Sequence, residues 1–338
     1  MMKAIIIEST ENGGDFQMVE REAPRLRRQE VLIRVRATAL NYRDVEIARG
    51  TYHTRFSLPL IPLSDGVGDV VAIGEDVTRF RPGDRVCSTF WQRWVGGSFT
   101  MAEPAYQRGG PLDGFLSELA VVDEQAAVLA PGNLSDIEAA TLPCAAVTAW
   151  HALVTEGAIK AGDTVLVQGT GGVSLFALLF ARASGARVII TSSSDEKLER
   201  AMRLGAFAGI NYRSHPIWSA KVLELTEGRG ADHVIDVGGP QSFEQSLKSI
   251  ARRGQINVIG YLGGKEGLVN PLDIFVKQAV VRGIPVGSRE SFEAMVKAIE
   301  VNDLKPQIDR VFTWENVAEA MNYLERGSNF GKVVLQHP

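Results

Sequence analysis

The sequence predicts an α/β protein in two parts, a mostly antiparallel β half followed by a doubly wound parallel sheet, and three observations carry that reading. Residues 1 to about 125 alternate apolar and polar positions over short runs punctuated by Gly, Pro and Asp, as antiparallel strands and turns do. After Pro131 the apolar runs become short and nearly continuous, separated by helical stretches, the pattern of strands buried on both faces. A chain of 338 residues is too long for one ordinary core and implies roughly two domains.

In order, AIIIE at 4–8, EVLIRVRATAL at 30–40 and GVGDVVAIG at 66–74 read as strands, with RPGDRV at 81–86 as a turn. The stretch 91–114 is rich in Gly and aromatic residues without a period, so it reads as one long loop of the kind that borders ligands. Beyond Pro131 the strands are TVLVQG at 164–169, RVIITS at 187–192, DHVIDVGG at 232–239 and QINVIGYLGG at 255–264. A helix over 174–184 is apolar almost all round and should pack deep, and another is expected over 195–204. VRGIPVG at 281–287 supplies a last strand, followed by an amphipathic helix over 292–302 and a short tail.

A charged fraction of 22% and a hydrophobic fraction of 45% are those of a soluble globular protein, and a formal net charge of -4 provides no basic field to draw nucleic acid. The opening MMKAIIIEST has an apolar run too short for a signal-peptide core, and no segment approaches a membrane span. A cytoplasmic protein without nucleic-acid or membrane partners is therefore expected. Cys87 and Cys144 lie far apart with no CxxC spacing, which implies neither a disulfide framework nor a cysteine-based zinc site. The histidines are scattered without HxxxH spacing, and His53, beside Tyr52, is the one placed to meet a substrate.

GTGGVS at 169–174 follows an expected strand and opens an expected helix, and in that context its glycines point to a dinucleotide pyrophosphate. Gly169 permits the tight turn and Gly171 lets the backbone approach the phosphates. Gly172 and Val173 lead into the expected helix, whose free N–H groups attract anions. Ser174 stands where the usual pattern has its third glycine. An NAD site in such a Rossmann domain ends the second strand with an acid for the ribose hydroxyls. Here that segment is TSSSDEK at 191–197, with Ser192 and Ser193 in the acid's place and Lys197 nearby, so NADP(H) is expected rather than NAD(H). The alternatives are that the serines only cap the next helix and that Asp195 reaches the ribose. Tyr212 and Arg213 either close the phosphate pocket or form an exposed turn.

LNYRDVEIARG at 40–50, RPGDRV, LPCAAVTAW at 142–150, GTGGVS, SSSDEKLERAMRLGA at 192–206, INYR at 210–213 and GKVVL at 331–335 together resemble the medium-chain dehydrogenase/reductase superfamily. Within it they resemble the zinc-free, quinone-oxidoreductase-like branch. The resemblance implies a GroES-like catalytic domain at 1–126 and 288–338, with the Rossmann domain inserted at 127–287. Zinc-dependent relatives carry a cysteine where this chain has Asn41 and a His-Glu pair where it has Ser64, Asp65 and Gly66. Only Cys144 matches a ligand position, and no zinc is expected.

Without a metal, hydrogen bonds must polarise the acceptor. The resemblance puts Asn41, Tyr42, Arg43 and Tyr52 on the substrate wall, with Asn41 orienting cofactor or substrate and Tyr42 or Tyr52 donating to the carbonyl. Arg43 either joins them or pairs with Asp44 or Glu46. Thr148 is expected near the nicotinamide or its phosphates. Gly260, Tyr261, Leu262, Val286 and Gly287, in turns after the fifth and sixth strands, are expected on the nicotinamide side. The implied activity is NADPH-dependent hydride transfer to a quinone, enone or similar activated carbonyl or alkene. A zinc-independent alcohol or aldehyde dehydrogenase, and a dinucleotide-binding or redox-sensing protein without turnover, are the alternatives. The expected partners are a small-molecule substrate and, by analogy, a second copy of the chain in a homodimer paired through the apolar strand at 281–287.

Overall fold

The computed structural model describes residues 1–338, with Asn12 outside the described side chains. The chain forms two compact units, Met1–Val147 with Gly287–Pro338, and Thr148–Val286. In the first unit, strand Glu30–Ala39 buries alternate residues and pairs antiparallel with Asp65–Ile73, which continues through Arg85–Ser88 to Ala127–Leu129. On its other side it pairs antiparallel with Lys332–Gln336, and only the outermost strand, Ile308–Thr313, joins in parallel. Leu119–Asp123 adds a further antiparallel pairing, and Met2–Ser9 with Asp15–Arg21 makes a separate two-stranded sheet.

The insert expected to start at residue 127 starts later. Val128 lies opposite Cys87 and Leu129 opposite Val86, so backbone pairing ties this segment to the first unit, which runs on to Val147. The C-terminal segment is built into the first unit. Helix Val317–Glu325 and its flanking strands place Phe312, Trp314, Val317, Met321, Val333 and Leu335 in one core with Ile5, Ile6 and Leu40. Fully burying such side chains contributes roughly 1.5–3 kcal/mol each, so the C-terminal segment is part of this unit's foundation. The stretch 91–114 has no strand and one short helical turn, Glu103–Tyr106, and is filled by edge-on contacts of Trp91 and Trp94 with Phe99.

The second unit is the doubly wound sheet that the sequence predicts. Its six parallel strands run in the order Ala208–Asn211, Arg187–Ser192, Thr164–Gln168, Ala231–Asp236, Ile250–Val258 and Val280–Gly283. Chain direction around the sheet reverses between Thr164–Gln168 and Ala231–Asp236, where sheets of this kind open a ligand crevice. Every residue of Thr164–Gln168 is buried, as its unbroken apolar run requires, and helix Gly172–Ala183 buries Leu175, Phe176, Leu178 and Phe180. The strands expected at 255–264 and 281–287 end earlier, at Val258 and Gly283. The leftover residues are turns at the carboxyl edge, and Val286 there holds φ 67, a left-handed conformation a β-branched residue rarely adopts. No helix among the described residues is long and apolar enough to cross a membrane.

Candidate active site

In the first unit three neighbouring strands bring polar side chains to one end of the sheet. Asn41 follows Glu30–Ala39, Asp65 begins Asp65–Ile73, and Lys332 begins Lys332–Gln336, with Ala39 opposite both Asp65 and Val334. Lys332, 3% exposed, donates from Nζ to the Leu40 carbonyl at 2.6 Å and to Asn41 Oδ1 at 2.7 Å, and stands 3.7 Å from Asp65 Oδ2. Ser64 Oγ donates to Asp65 Oδ1 at 2.9 Å, and Asn41 Nδ2 lies 3.5 Å from Ser64 Oγ. Burial pushes the Asp65 carboxyl up, opposed by the Lys332 charge and by hydrogen bonds from Asn41, Ser64 and the Cys144 backbone.

The turn that delivers Ser64 and Asp65 is held under strain. Leu63 is fully buried at φ 73, and Gly109 and Gly114 press against it so closely that a Cβ at Gly114 would sit 2.2 Å from the Leu63 carbonyl oxygen. Asn41 caps helix Tyr42–Ala48 in an extended conformation, its backbone N–H donating to Asp44 Oδ2 at 2.7 Å. Asp44 is fully buried, and burial pushes its carboxyl up to about 6 against the pull of the Arg43 charge.

The other residues expected on the substrate wall have separate fates. Arg43 lies between the Tyr52 and Phe90 rings, 4.8 and 4.9 Å from their centroids, and donates to Gln107 Oε1 and to the Arg108 and Gly110 carbonyls. Its guanidinium therefore pins the 91–114 loop to the helix, and it also stands 3.5 Å from Asp44 Oδ1. The Tyr52 hydroxyl donates to Gln107 Oε1 at 3.0 Å, and its ring stacks at a tilt on His53. Tyr42, at the start of the helix, is 42% exposed.

The donor set does not suit catalytic zinc. The Asn41 carboxamide oxygen is taken by Lys332, and the Ser64 hydroxyl by Asp65. One carboxylate and one thiol fall short of the three protein ligands such a site uses, and no group of three or more His, Cys, Asp and Glu among the described residues is placed to hold a metal ion.

The second unit fits a dinucleotide. Gly169 takes φ 70, and a Cβ on Gly169 or Gly171 would meet no atom within 4 Å, so the turn is an open cradle over the N-terminus of Gly172–Ala183. Gly171 caps that helix with no side-chain bond, which leaves the first N–H groups of Gly172 and Val173 for an anion. Ser174, in place of the third glycine, is buried and donates to the Gln168 carbonyl at 2.7 Å, closing the strand to the helix.

At the end of Arg187–Ser192, Ser192 is buried and its Oγ accepts the Ser194 N–H, whereas Ser193 and Lys197 are partly exposed. The cap of the following helix is Ser194, whose Oγ accepts the Lys197 N–H at 3.3 Å, and neither Ser192 nor Ser193 caps it. Asp195 accepts from Asn211 Nδ2 at 2.8 Å. Tyr212 is 43% exposed and Arg213 is exposed beside it. Gly260, Tyr261 and Leu262 follow the fifth strand and Val286 the sixth, Thr148 is buried in the same unit, and Gly287 belongs to the first unit.

Sequence reasoning missed two groups. Lys332 was visible only as a letter in GKVVL, because a lone lysine at a strand start usually points to solvent. The buried Asp236, which accepts from Gln168, Ser246 and Ser242 and from the Gly239 N–H, braces the turn beyond its strand. Its signal was an acid ending an apolar run.

Family models match both parts of the chain, an alcohol dehydrogenase GroES-like domain over residues 27–132 and a zinc-binding dehydrogenase over residues 172–300. A zinc-type alcohol dehydrogenase-like protein of Schizosaccharomyces pombe is 45% identical over 325 residues, covering 94% of each chain. The human quinone oxidoreductase is 29% identical over 314 residues, 90% of this chain and 88% of that one. The crystal structure of a putative alcohol dehydrogenase from Sinorhizobium meliloti superposes with a TM-score of 0.93 at 45% identity, over 99% of this chain and 98% of that one. With both domains matched and a phosphate cradle in the second unit, the chain belongs to the medium-chain dehydrogenase/reductase superfamily and is an NAD(P)H-dependent oxidoreductase.

Proposed function

We propose that this enzyme uses NADPH to reduce a quinone, enone or similar activated carbonyl or alkene, and that it does so without zinc. The observation that carries the reading is the cluster of Asn41, Ser64, Asp65 and Lys332. Where zinc-dependent relatives hold their metal, this chain gathers hydrogen-bonding groups around a buried ammonium, which can polarise an oxygen without coordinating a metal. The bound nicotinamide supplies a hydride for an electron-poor carbon, the property that defines conjugated acceptors. Asn41 orients the acceptor and stabilises the charge that develops on its oxygen. Tyr42 is the better placed tyrosine for proton donation, because the Tyr52 hydroxyl is committed to Gln107. Likeness to the human quinone oxidoreductase supports the acceptor class.

NADPH is favoured over NADH because the second strand ends in serines, Lys197 is partly exposed beside them, and the Asp195 carboxylate is occupied by Asn211. A homodimer is supported by an apolar surface beside the edge strand Val280–Gly283. Leu268, Leu272, Phe275 and Val276 are each at least half exposed there, and helix Pro271–Lys277 buries none of its residues. NADPH consumption with panels of quinones, enones and aldehydes, beside NADP+ reduction with a panel of alcohols, tests the activity. Turnover is expected with the quinones or enones. Turnover confined to alcohols and aldehydes would overturn the acceptor class, and tight NADPH binding with no turnover anywhere would overturn catalysis.

A further inference from the structure

We propose that Lys332 is a positioning residue that locks the Asn41 carboxamide with its NH2 group presented as a hydrogen-bond donor to the substrate oxygen; this rests on the reductase reading above. An ammonium group has three donors and no acceptor, so of the two ends of the Asn41 amide only the oxygen can face it. The 2.7 Å contact from Nζ to Oδ1 therefore fixes which way the amide points, a matter that an asparagine at a site edge otherwise leaves open. The second anchor, the Leu40 carbonyl at 2.6 Å, ties the same ammonium to the backbone immediately before Asn41. Rotating the amide would leave two donors facing each other in a place where Lys332 is only 3% exposed.

The charge is arranged to keep this lock. Asp65 Oδ2 lies 3.7 Å from Nζ, close enough to balance the ammonium and too far to take the hydrogen that Asn41 uses. Asp65 Oδ1 is occupied by the Ser64 hydroxyl at 2.9 Å. On the far side of the amide, Nδ2 reaches Ser64 Oγ at 3.5 Å and bears on the Asp65 carboxyl, which engages one N–H and leaves the second for the substrate oxygen. Asn41 itself is half-buried. Lys332, Asn41 and Asp65 come from three adjacent strands, so the arrangement is as rigid as the sheet that carries it. When the acceptor carbon takes a hydride, an electron pair moves onto the conjugated oxygen, which then takes a proton from the Tyr42 hydroxyl, itself reprotonated by water. A donor held in place beforehand stabilises that oxygen without reorganising.

The test compares wild type with Lys332→Met, Lys332→Arg and Asn41→Asp. Asn41→Asp keeps the pair with Lys332 and replaces the N–H donor with a carboxylate oxygen, so it guards against a Lys332→Met that does not fold. With any acceptor that wild type reduces, Asn41→Asp and Lys332→Met should lower kcat about 100-fold, Lys332→Arg should recover part of the loss, and KM for NADPH should stay within twofold. Side-chain amide resonances in a 15N-labelled protein give a readout independent of turnover. The pair that disappears in Asn41→Asp should shift in Lys332→Met, and both variants should bind NADPH as wild type does. An unchanged kcat in Lys332→Met, or an equal rise in KM for NADPH and fall in kcat, would overturn the positioning role. If wild type reduces nothing, the reductase reading fails by itself, and an Asn41 amide signal indifferent to Lys332→Met would still overturn this inference.

Discussion

A charged group buried in a protein must be held by partners, and the partners tell what it is for. Lys332 is held by a carbonyl and an amide oxygen with a carboxylate at longer range, an arrangement that fixes direction as well as charge. His337 is a contrasting case, since burial keeps it neutral against the pull of Glu315 and the Ser117 backbone. It is 6% exposed, its ring lies 4.9 Å from Trp314, its Nε2 lies 3.2 Å from Thr38 Oγ1, and burial pushes it down to about 3. A folded pKa below the unfolded value means that its contribution is present above about 6.5 and is lost as pH falls toward 3. Between pH 6.5 and 5 the loss is roughly 2 kcal/mol. Asp44 acts in the opposite sense in the same window. Raised to about 6, it favours the folded state below its unfolded pKa and loses that contribution as pH rises through 6. Thermal melts of His337→Asn against wild type from pH 7.5 to 5 should show a flatter acid slope for the variant, and parallel slopes would contradict the assignment.

The phosphate pocket is also a matter of single side chains. Ser192 turned out to be buried and bonded to the Ser194 N–H, so Ser193 is the serine to test together with Lys197. Losing one charge-assisted bond to a 2′-phosphate costs roughly 1.5–3 kcal/mol, so Lys197→Ala should weaken NADPH at least about tenfold and leave NADH nearly unchanged. Ser193→Asp should repel the phosphate and move preference toward NADH. Fluorescence titration with both cofactors decides. Equal weakening of both by Lys197→Ala would return the ribose role to Asp195.

At the scale of elements, the parallel strands were legible because burial on both faces leaves an unmistakable apolar run, and RVIITS at 187–192 has the bounds the structure gives it. The glycine turn was legible because its strand and helix context was. What could not be read was long-range pairing. Nothing local in Ala127–Leu129 says that its partner is Arg85–Ser88, and nothing in the last thirty or so residues says that they complete the first sheet beside Glu30–Ala39. Asn41 was readable from its place in a motif, whereas the lysine that orients it lies far along the chain. The edge strand Val280–Gly283 carries its own prediction. Its neighbouring helix exposes Phe275 at 77% and Leu272 at 59%, and such an edge calls for a partner. Light scattering should give the mass of two chains for wild type and of one chain for Val281→Lys. A single-chain mass for wild type at micromolar concentration would contradict the homodimer.

At the scale of the whole molecule, the proposed function divides the chemistry between two units: the open glycine turn of one is assigned to the dinucleotide, and the fixed donors of the other to the acceptor. Asn41 and Ser64 stand at ligand positions of the zinc-dependent relatives, the oxygen of one held by Lys332 and the hydroxyl of the other by Asp65, so elemental analysis of protein purified without added metal should find far less than one zinc per chain. The most direct test of the account is NADPH consumption with a quinone or enone before and after exhaustive chelation. The rate should be the same in both, because the groups that polarise the acceptor are the protein's own. A rate that vanishes on chelation and returns with added zinc would contradict the account at its centre.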